Sequence, residues 1–222
     1  MTSALMIVPA HNEAKYIREV VSSIKALGHD VCVIDDGSED ATAALAKQAG
    51  AIVISTGRKS GKGNALRLGF DYAIKSNFEV VITLDGDGQH APSDIQSFLD
   101  KYEQTHAGLI NGNRLGNPKG MPGLRLITNK FMSWLISGIC HQRIADTQCG
   151  FRLIAIRVLK QIKLESSNFE IETELLVQTS KNKFKIENVP IKTIYRDEVS
   201  KIRPFQDTWR FMQYLFKESQ KK

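Results

Sequence analysis

The sequence has no long hydrophobic run and few cysteines. None of its apolar stretches approaches the roughly 20 residues that a membrane-spanning helix requires. The apolar stretch Ala4–Ala10 is short and follows no basic leader, so we expect no signal peptide. Cys32, Cys140 and Cys149 are odd in number and show no C-x-x-C spacing, which is typical of reduced thiols. These absences predict a cytoplasmic protein, and we interpret Cys149 as a packing residue.

Zinc-finger spacings and basic stripes interleaved with aromatic residues are absent as well. The formal net charge of +6 fits an anionic substrate or membrane surface about as well as nucleic acid. Because no motif supports nucleic-acid binding, we expect no such partner. The 222 residues contain no internal repeat and no low-complexity linker, so the sequence predicts a single domain, 1–222.

Short apolar runs alternate with amphipathic segments in the first half of the chain. The apolar runs predict strands over Leu5–Pro9, Val31–Ile34, Ala51–Ser55, Val80–Leu84 and Gly108–Asn111. The periodicity between them predicts helices over Glu13–Leu27, Glu39–Gln48, Lys62–Lys75 and Pro92–Gln104. This alternation indicates an α/β fold with a mostly parallel sheet flanked by helices. In such sheets ligands bind beyond the carboxyl ends of the strands.

The second half is less regular. It predicts a loop over Gly112–Gly123 and helices over Leu124–Cys140 and Glu170–Lys181. Strands are predicted over Phe151–Ala155 and Lys185–Tyr195, and a C-terminal amphipathic helix over about 204–219. The helix Leu124–Cys140 has an apolar centre. It is either part of the core or an interfacial helix that meets lipid, flanked by Arg125 and Lys130, and the C-terminal helix allows the same two interpretations.

The segment Leu84–His90, L-D-G-D-G-Q-H, directly follows the apolar run that ends at Thr83. If the backbone stays extended, Asp85, Asp87 and Gln89 lie on one side of the strand's end. Crowded carboxylates repel each other unless a cation lies between them, and oxygen ligands of this kind suit Mg²⁺ or Mn²⁺ bound to phosphate. The alternative is an Asp/Gly-rich surface turn.

Polar clusters follow the other strands of the predicted sheet. Pro9–Glu13 lacks the G-x-G-x-x-G turn of a dinucleotide-binding domain. Asp35–Ser38 contains either a ligand for base or ribose groups or an N-capping turn, with Asp36 or Ser38 as the candidate cap. Gly57–Asn64 combines glycines and cations at a helix start, which predicts an anion site without the spacing of a P-loop.

Taken together and in this order, the motifs resemble family 2 glycosyltransferases, most closely the polyprenyl-phosphate branch of dolichyl-phosphate mannose or glucose synthases. The matching segments are Ile7–Glu13, Asp35–Ser38, Gly61–Leu66, Leu84–His90, Gly112–Arg114 and Asp146–Arg152. The resemblance implies a GT-A fold, a UDP- or GDP-hexose donor, a divalent metal and inversion at the anomeric carbon.

The resemblance also implies roles for individual residues. The donor site would consist of Pro9, Ala10, Glu13, Asp35, Lys62, Asp85 and Gly86. Asp87, helped by Asp85 and Gln89, would hold Mg²⁺ or Mn²⁺ on the diphosphate. Arg114 matches an arginine that reaches a phosphate, and Asp146 matches an acidic residue near the acceptor. Neither carboxylate of the 85–87 pair would be a nucleophile.

The role of Asp146 depends on the acceptor. A hydroxyl acceptor needs a carboxylate base, whereas a phosphate monoester is already mostly dianionic at neutral pH and needs cations, for which Arg125, Lys201 and Arg203 are candidates. We expect a polyprenyl phosphate acceptor and peripheral contact with the cytoplasmic face of a membrane. The alternatives are a hydroxyl acceptor, a non-catalytic nucleotide-sugar-binding protein, or a phosphatase with Asp85 as its nucleophile.

Overall fold

A seven-stranded sheet runs through the part of the chain that the computed structural model describes, residues 2–116, 118 and 120–194. Its strands are β1 (Ala4–Ala10), β2 (Asp30–Asp35), β3 (Ile52–Ser55), β4 (Val80–Thr83), β5 (Leu109–Asn113), β6 (Arg152–Ala155) and β7 (Ile186–Pro190). The helices are α1 (Ile17–Ala26), α2 (Thr42–Gln48), α3 (Lys62–Lys75), α4 (Ile95–Thr105), α5 (Gly123–Cys140), α6 (Ile156–Leu159) and α7 (Ile171–Lys181).

The strand order in the sheet is β3-β2-β1-β4-β6-β5-β7. Strands β1, β2, β3 and β4 pair in parallel, as do β5 and β7, whereas β6 runs antiparallel to both β4 and β5. The predicted α/β fold with a mostly parallel sheet is therefore confirmed. Because β1, β2 and β4 are parallel, their carboxyl ends lie at one edge of the sheet.

The central strands are buried on both faces, as expected for a parallel sheet covered by helices. Residues 5–8 of β1 and residues 80–82 of β4 have no exposed surface. Helix α3 contacts β1 and β2, and a Cβ added to Gly69 would lie 2.6 Å from Cγ2 of Ile7. Glycine at this position therefore lets the helix approach the strand closely.

Several predicted boundaries differ from those in the structure. Helix α2 begins at Thr42 with Ala41 at its N-cap, so the expected capping role of Asp36 or Ser38 is wrong. The hydroxyl oxygen of Ser38 instead accepts the backbone N–H of Asn12 at 3.0 Å. The expected extended strand to residue 195 is too long, because β7 ends at Pro190. The helix predicted from Pro92 begins as a short 3₁₀ turn that continues into α4.

The predicted helix at 204–219 lies outside the described residues, so the single domain of 1–222 stays a prediction. Among the described residues, no helix has both the length and the hydropathy that a membrane crossing requires.

Candidate active site

The segment after β4 turns sharply instead of remaining extended. The backbone leaves the strand conformation after Thr83 and forms a turn at residues 86–87, and Gly88 has a φ of +71°. One carboxylate oxygen of Asp87 accepts the backbone N–H of Gln89 at 2.9 Å, as aspartate commonly does in turns. The expectation that alternate side chains share one face of an extended strand is therefore wrong, because this turn rotates them.

The carboxylates of this turn nevertheless influence each other strongly. Burial raises the pKa of Asp87 to about 7, and the negative charges of Asp85 and Glu13 act in the same direction. A carboxyl group this difficult to ionise lies where negative charge lacks a compensating cation. The oxygens of Asp85 and Asp87 are ligands that suit a hard divalent ion such as Mg²⁺ or Mn²⁺, and the Gln89 amide stays a predicted third ligand.

Lys62, the first residue of α3, lies between two carboxylates. Its Nζ is 2.6 Å from Oδ1 of Asp85 and 2.6 Å from Oε1 of Glu172, and all three side chains are largely buried. Although burial opposes ionisation of Asp85, the Lys62 ammonium lowers its pKa to about 2. Lys62 therefore joins the exit of β4 to the first turn of α7.

The glycine-rich start of α3 is ordered by backbone contacts. The N–H groups of Gly63 and Asn64 donate to the carbonyl oxygen of Ser167, at 2.9 and 3.4 Å. A Cβ on Gly61 would lie 2.3 Å from that same oxygen. The predicted anion site at this helix start is wrong for these two N–H groups, because the chain itself supplies their acceptor. The glycines are needed for the close approach of residues 166–168.

The ends of β1 and β2 lie beside the turn at residues 86–87. A Cβ on Gly86 would lie 3.4 Å from the side chains of both Ala10 and Glu13, so the turn after β4 is in contact range of the end of β1 and of the segment that follows it. Pro9 precedes Ala10 in β1 and pairs with β2. Asp35 is buried, and its carboxylate accepts the Ser55 hydroxyl at 3.0 Å and a backbone N–H at 3.2 Å. The structure thus brings the expected donor residues to one edge of the sheet.

A buried ion pair lies at the end of β5. Asp146 has no exposed surface, and its two carboxylate oxygens accept Nε and Nη2 of Arg114 at 2.7 and 3.0 Å. The backbone N–H of Arg114 adds a bond of 3.2 Å to the same carboxylate. This bidentate arrangement fixes the guanidinium group and occupies both oxygens of Asp146.

His90 and Arg152 complete the polar interior of this edge. The Nδ1 atom of His90 accepts the backbone N–H of Asp85 at 3.2 Å, and burial lowers the pKa of His90 to about 4, so the imidazole is neutral. Arg152 is buried and donates to the carbonyl oxygens of Thr147 and Cys149 at 2.8 Å each, and to that of Glu172. It therefore holds the 147–152 segment against α7.

A protein-family model, described as glycosyl transferase family 2, matches residues 6–162. The chain belongs to family 2 of the glycosyltransferases. It is therefore a glycosyltransferase, and the predicted family is confirmed.

Two relatives of this glycosyltransferase have a polyprenol or its phosphate in their names. A UDP-N-acetylglucosamine–dolichyl-phosphate N-acetylglucosaminyltransferase of Methanococcus voltae is 30% identical, with 86% of each chain covered. A polyprenol monophosphomannose synthase of Mycolicibacterium smegmatis is 28% identical, with 87% of this chain and 78% of the relative covered. These names support the polyprenyl-phosphate branch that the motifs indicate.

The glycosyltransferase also resembles solved GT-A structures. A glucosyl-3-phosphoglycerate synthase of Mycobacterium tuberculosis, solved with Mn²⁺, uridine diphosphate and phosphoglyceric acid, superposes with a TM-score of 0.71. That likeness covers 96% of this chain and 75% of the other at 19% identity, and it confirms the GT-A fold.

Two features of this glycosyltransferase were not expected from the sequence, namely the contact of Glu172 with Lys62 and the placement of Gly150. A Cβ on Gly150 would lie 3.0 Å from carboxylate oxygens of Asp85 and Glu172. The only hint was the acidic cluster in the predicted helix Glu170–Lys181. Of the expected acceptor residues, Arg125 lies half-buried in the first turn of α5. Lys201 and Arg203 lie outside the described residues.

Proposed function

We propose that this glycosyltransferase moves a hexose from a nucleotide-diphosphate sugar to a polyprenyl phosphate, with inversion at the anomeric carbon. The observation that carries the proposal is the carboxylate pair at the exit of β4. Asp87, whose pKa is about 7, lies there beside the ionised Asp85 and the ammonium of Lys62. Such a site is suited to a diphosphate that arrives with a divalent cation.

Asp85 and Asp87, with the amide of Gln89, would hold that cation. Within residues 2–116, 118 and 120–194, no three His, Cys, Asp or Glu side chains form a group that could hold a metal. The protein would therefore supply only part of the coordination shell, and substrate phosphate oxygens and water would complete it. When bound, Mg²⁺ or Mn²⁺ neutralises charge on the departing nucleoside diphosphate.

Lys62 adds a fixed positive charge to the donor side of this site. Its ammonium is held by two buried carboxylates, so it needs no reorganisation when the negative charge of the leaving group grows. Pro9, Ala10, Glu13, Asp35 and Gly86 would form the wall against the base and ribose. Their position at the same sheet edge, next to the carboxylate pair, supports this assignment.

The buried pair of Arg114 and Asp146 favours a phosphate acceptor over a hydroxyl acceptor. A base must have a carboxylate oxygen free to take a proton, whereas both oxygens of Asp146 bind the guanidinium group. A phosphate monoester needs no base, because its second pKa is about 6. Arg114, positioned by Asp146, and Arg125 would attract that phosphate, and Lys201 and Arg203 are further candidates.

The names of the relatives support the same acceptor class. The M. voltae and M. smegmatis proteins carry dolichyl phosphate and polyprenol in their names. The enzyme would accordingly act from the cytoplasm at the surface of a membrane that contains the lipid acceptor.

A thermal-shift panel tests the donor part of the proposal. UDP-, GDP- and dTDP-sugars are added at saturating concentration with Mn²⁺, with Mg²⁺ or with EDTA. A ligand at 100 times its Kd stabilises by about 2.7 kcal/mol, which raises the Tm of a domain of this size by about 5–10 °C. We expect one nucleotide series to give this shift only with metal, and Asp87→Asn to abolish it.

Radiolabelled sugar transfer tests the acceptor part. The donor selected by the panel is incubated with a short-chain polyprenyl phosphate, and with the corresponding polyprenol as the matched hydroxyl acceptor. We expect transfer to the phosphate alone. Binding of no nucleotide sugar, or transfer to the alcohol alone, would contradict the proposal.

A further inference from the structure

Arg152 is an arginine that the fold buries beside the carboxylate pair. Its exposed fraction is 1%, and it is the first residue of β6. Because β6 runs antiparallel to β4, Arg152 pairs with Thr83, the last residue of β4. The positive charge of Arg152 therefore lies inside the protein, at the strand end from which residues 85–87 follow.

The hydrogen bonds of the Arg152 guanidinium group go to backbone carbonyl oxygens, those of Thr147, Cys149 and Glu172. Among the residues that the structure describes, no ion pair within 4 Å includes Arg152. A buried charge is costly unless an opposite charge compensates it. The compensating carboxylate must therefore act on Arg152 over a longer distance.

The carboxylate of Glu172 meets this requirement. The Lys62 ammonium contacts the carboxylates of both Asp85 and Glu172 at 2.6 Å, so this cluster has one negative charge in excess. A cavity of about 10 Å³ is lined by these three residues and by Arg152, among others. Burial lowers the pKa of Arg152, and of the charges that raise it Glu172 has the largest effect. The guanidinium charge thus balances the excess.

The other buried carboxylate near Arg152 has a cation of its own. Asp146 binds the guanidinium group of Arg114 through both of its oxygens. That pair is neutral without Arg152. The charge of Arg152 therefore belongs with the cluster around Lys62.

We propose that Arg152 is a positioning residue of the donor site, whose charge balances that of Glu172 and thereby sets the affinity for a divalent cation and for a diphosphate. A fixed positive charge next to the cluster repels the cation and attracts the diphosphate. Removing this charge should change the two affinities in opposite directions, whereas damage to the fold would lower both. The identity of the ligands rests on the proposed function, but the charge balance is a property of the metal-free protein.

Two substitutions separate the charge of Arg152 from its hydrogen bonds. Arg152→Gln removes the charge and keeps an amide that can donate to carbonyl oxygens, whereas Arg152→Lys keeps the charge and loses the planar fork. The probes are Mn²⁺ alone, measured by electron paramagnetic resonance, and UDP or GDP at saturating Mn²⁺, measured by calorimetry. We expect Arg152→Gln to bind Mn²⁺ at least about threefold more tightly and the nucleotide at least about threefold more weakly. Arg152→Lys should keep both affinities within about twofold, although its Tm is lower.

Glu172 provides a second test of the same balance. Combining Arg152→Gln with Glu172→Gln removes a cation and an anion together. The Mn²⁺ affinity of this double variant should therefore return toward that of the unaltered chain. In EDTA its loss of Tm should be smaller than the sum of the two single losses, because neither charge is left without the other.

Arg157 is the matched control. Its guanidinium group also donates to three oxygen atoms, the Tyr102 hydroxyl and the carbonyls of His106 and Ala107. It follows β6, whose last residue pairs with the first residue of β4, so it lies at the opposite edge of the sheet from the carboxylate pair. Arg157→Gln should leave the affinities for Mn²⁺ and nucleotide unchanged.

Two results would overturn the inference. In the first, the two affinities of Arg152→Gln do not change in opposite directions, so the arginine only supports the fold. In the second, the Tm losses of Arg152→Gln and Glu172→Gln simply add in EDTA, so the two charges do not interact. This second measurement needs no ligand. If the unaltered chain binds neither Mn²⁺ nor a nucleotide, the proposed function fails, and the Tm values in EDTA alone decide whether Arg152 balances Glu172.

Discussion

Replacing Asp146 with asparagine should destabilise the protein far more than a surface substitution would. The carboxylate is fully buried and accepts three hydrogen bonds from Arg114, two of them from the guanidinium group. Asparagine keeps the shape but leaves the positive charge of Arg114 buried without a counter-ion. Removing one partner of a buried ion pair costs about 3–5 kcal/mol, which corresponds to a Tm lower by about 6–20 °C in a domain of this size.

The pairwise nature of this loss can be measured. Arg114→Met should destabilise by a similar amount, since it leaves the buried carboxylate of Asp146 without a cation and with only the backbone N–H groups of residue 114 and Gln148 as donors. The double variant should then lose less than the sum of the two single variants, with a coupling of about 0.5–3 kcal/mol in urea unfolding. Unfolding free energies that simply add would show that the two groups do not depend on each other.

Activity at a temperature where Asp146→Asn remains folded distinguishes positioning from base catalysis. A lost general base lowers the rate by about 10²–10⁴-fold without affecting stability. If Asp146 only positions Arg114, its loss lowers the stability of the protein and reduces sugar transfer because the guanidinium group is no longer held. Arg114→Met and the double variant should then have similar residual rates. A Tm unchanged within about 1 °C, together with a hundredfold loss of transfer, would refute the reasoning and assign proton abstraction to Asp146.

Two further substitutions test the donor edge. The pKa of Asp87 is about 7 in the folded protein and about 4 in the unfolded chain. Its contribution to the stability of the metal-free protein is therefore lost as the pH rises through 7. Asp87→Asn should raise the Tm in EDTA at pH 8 and change it little at pH 4. An equal effect at both pH values would contradict this. Glu172→Gln should weaken Mn²⁺ binding, measured by electron paramagnetic resonance, because Lys62 then pairs with Asp85 alone. The control is Glu174, whose carboxylate accepts two backbone N–H groups, so Glu174→Gln should lower the Tm and leave Mn²⁺ affinity unchanged. Equal Mn²⁺ affinities in the two glutamine variants would contradict the role of Glu172.

The alternation of strands and helices was predictable because it depends on local periodicity. Helix α3 begins and ends where the pattern predicts, and the predicted β1, β2 and β4 each agree with the structure to within one residue at either end. Burial on both faces makes these strands continuous apolar runs that are easily recognised. Helix starts were less predictable, as Thr42 shows, because contacts with residues 12 and 13, distant in sequence, fix the backbone before α2 together with the local acceptor Asp40.

The partners inside the site were not predictable in the same way. Lys62 and Glu172 are separated by 110 positions in the chain, and no periodicity connects them. The sequence shows glycines at 61 and 63, but it does not show that residues 166–168 would approach them. Contacts of this kind follow from the tertiary arrangement of β4, α3 and α7, which a local pattern does not encode.

The segment that completes the donor edge lies beyond the part of the chain matched by the family model. That match ends at residue 162, whereas Ser167 and Glu172 supply the acceptors for the start of α3 and for Lys62. Arg152 lies within the match and binds the carbonyl oxygen of Glu172, so the two parts are joined at this contact. The shared motifs therefore form one half of the site. Lys62 is held by Glu172, and the start of its helix by Ser167, so we expect substitution of Glu172 to alter donor and metal affinity while the carboxylate pair itself is unchanged.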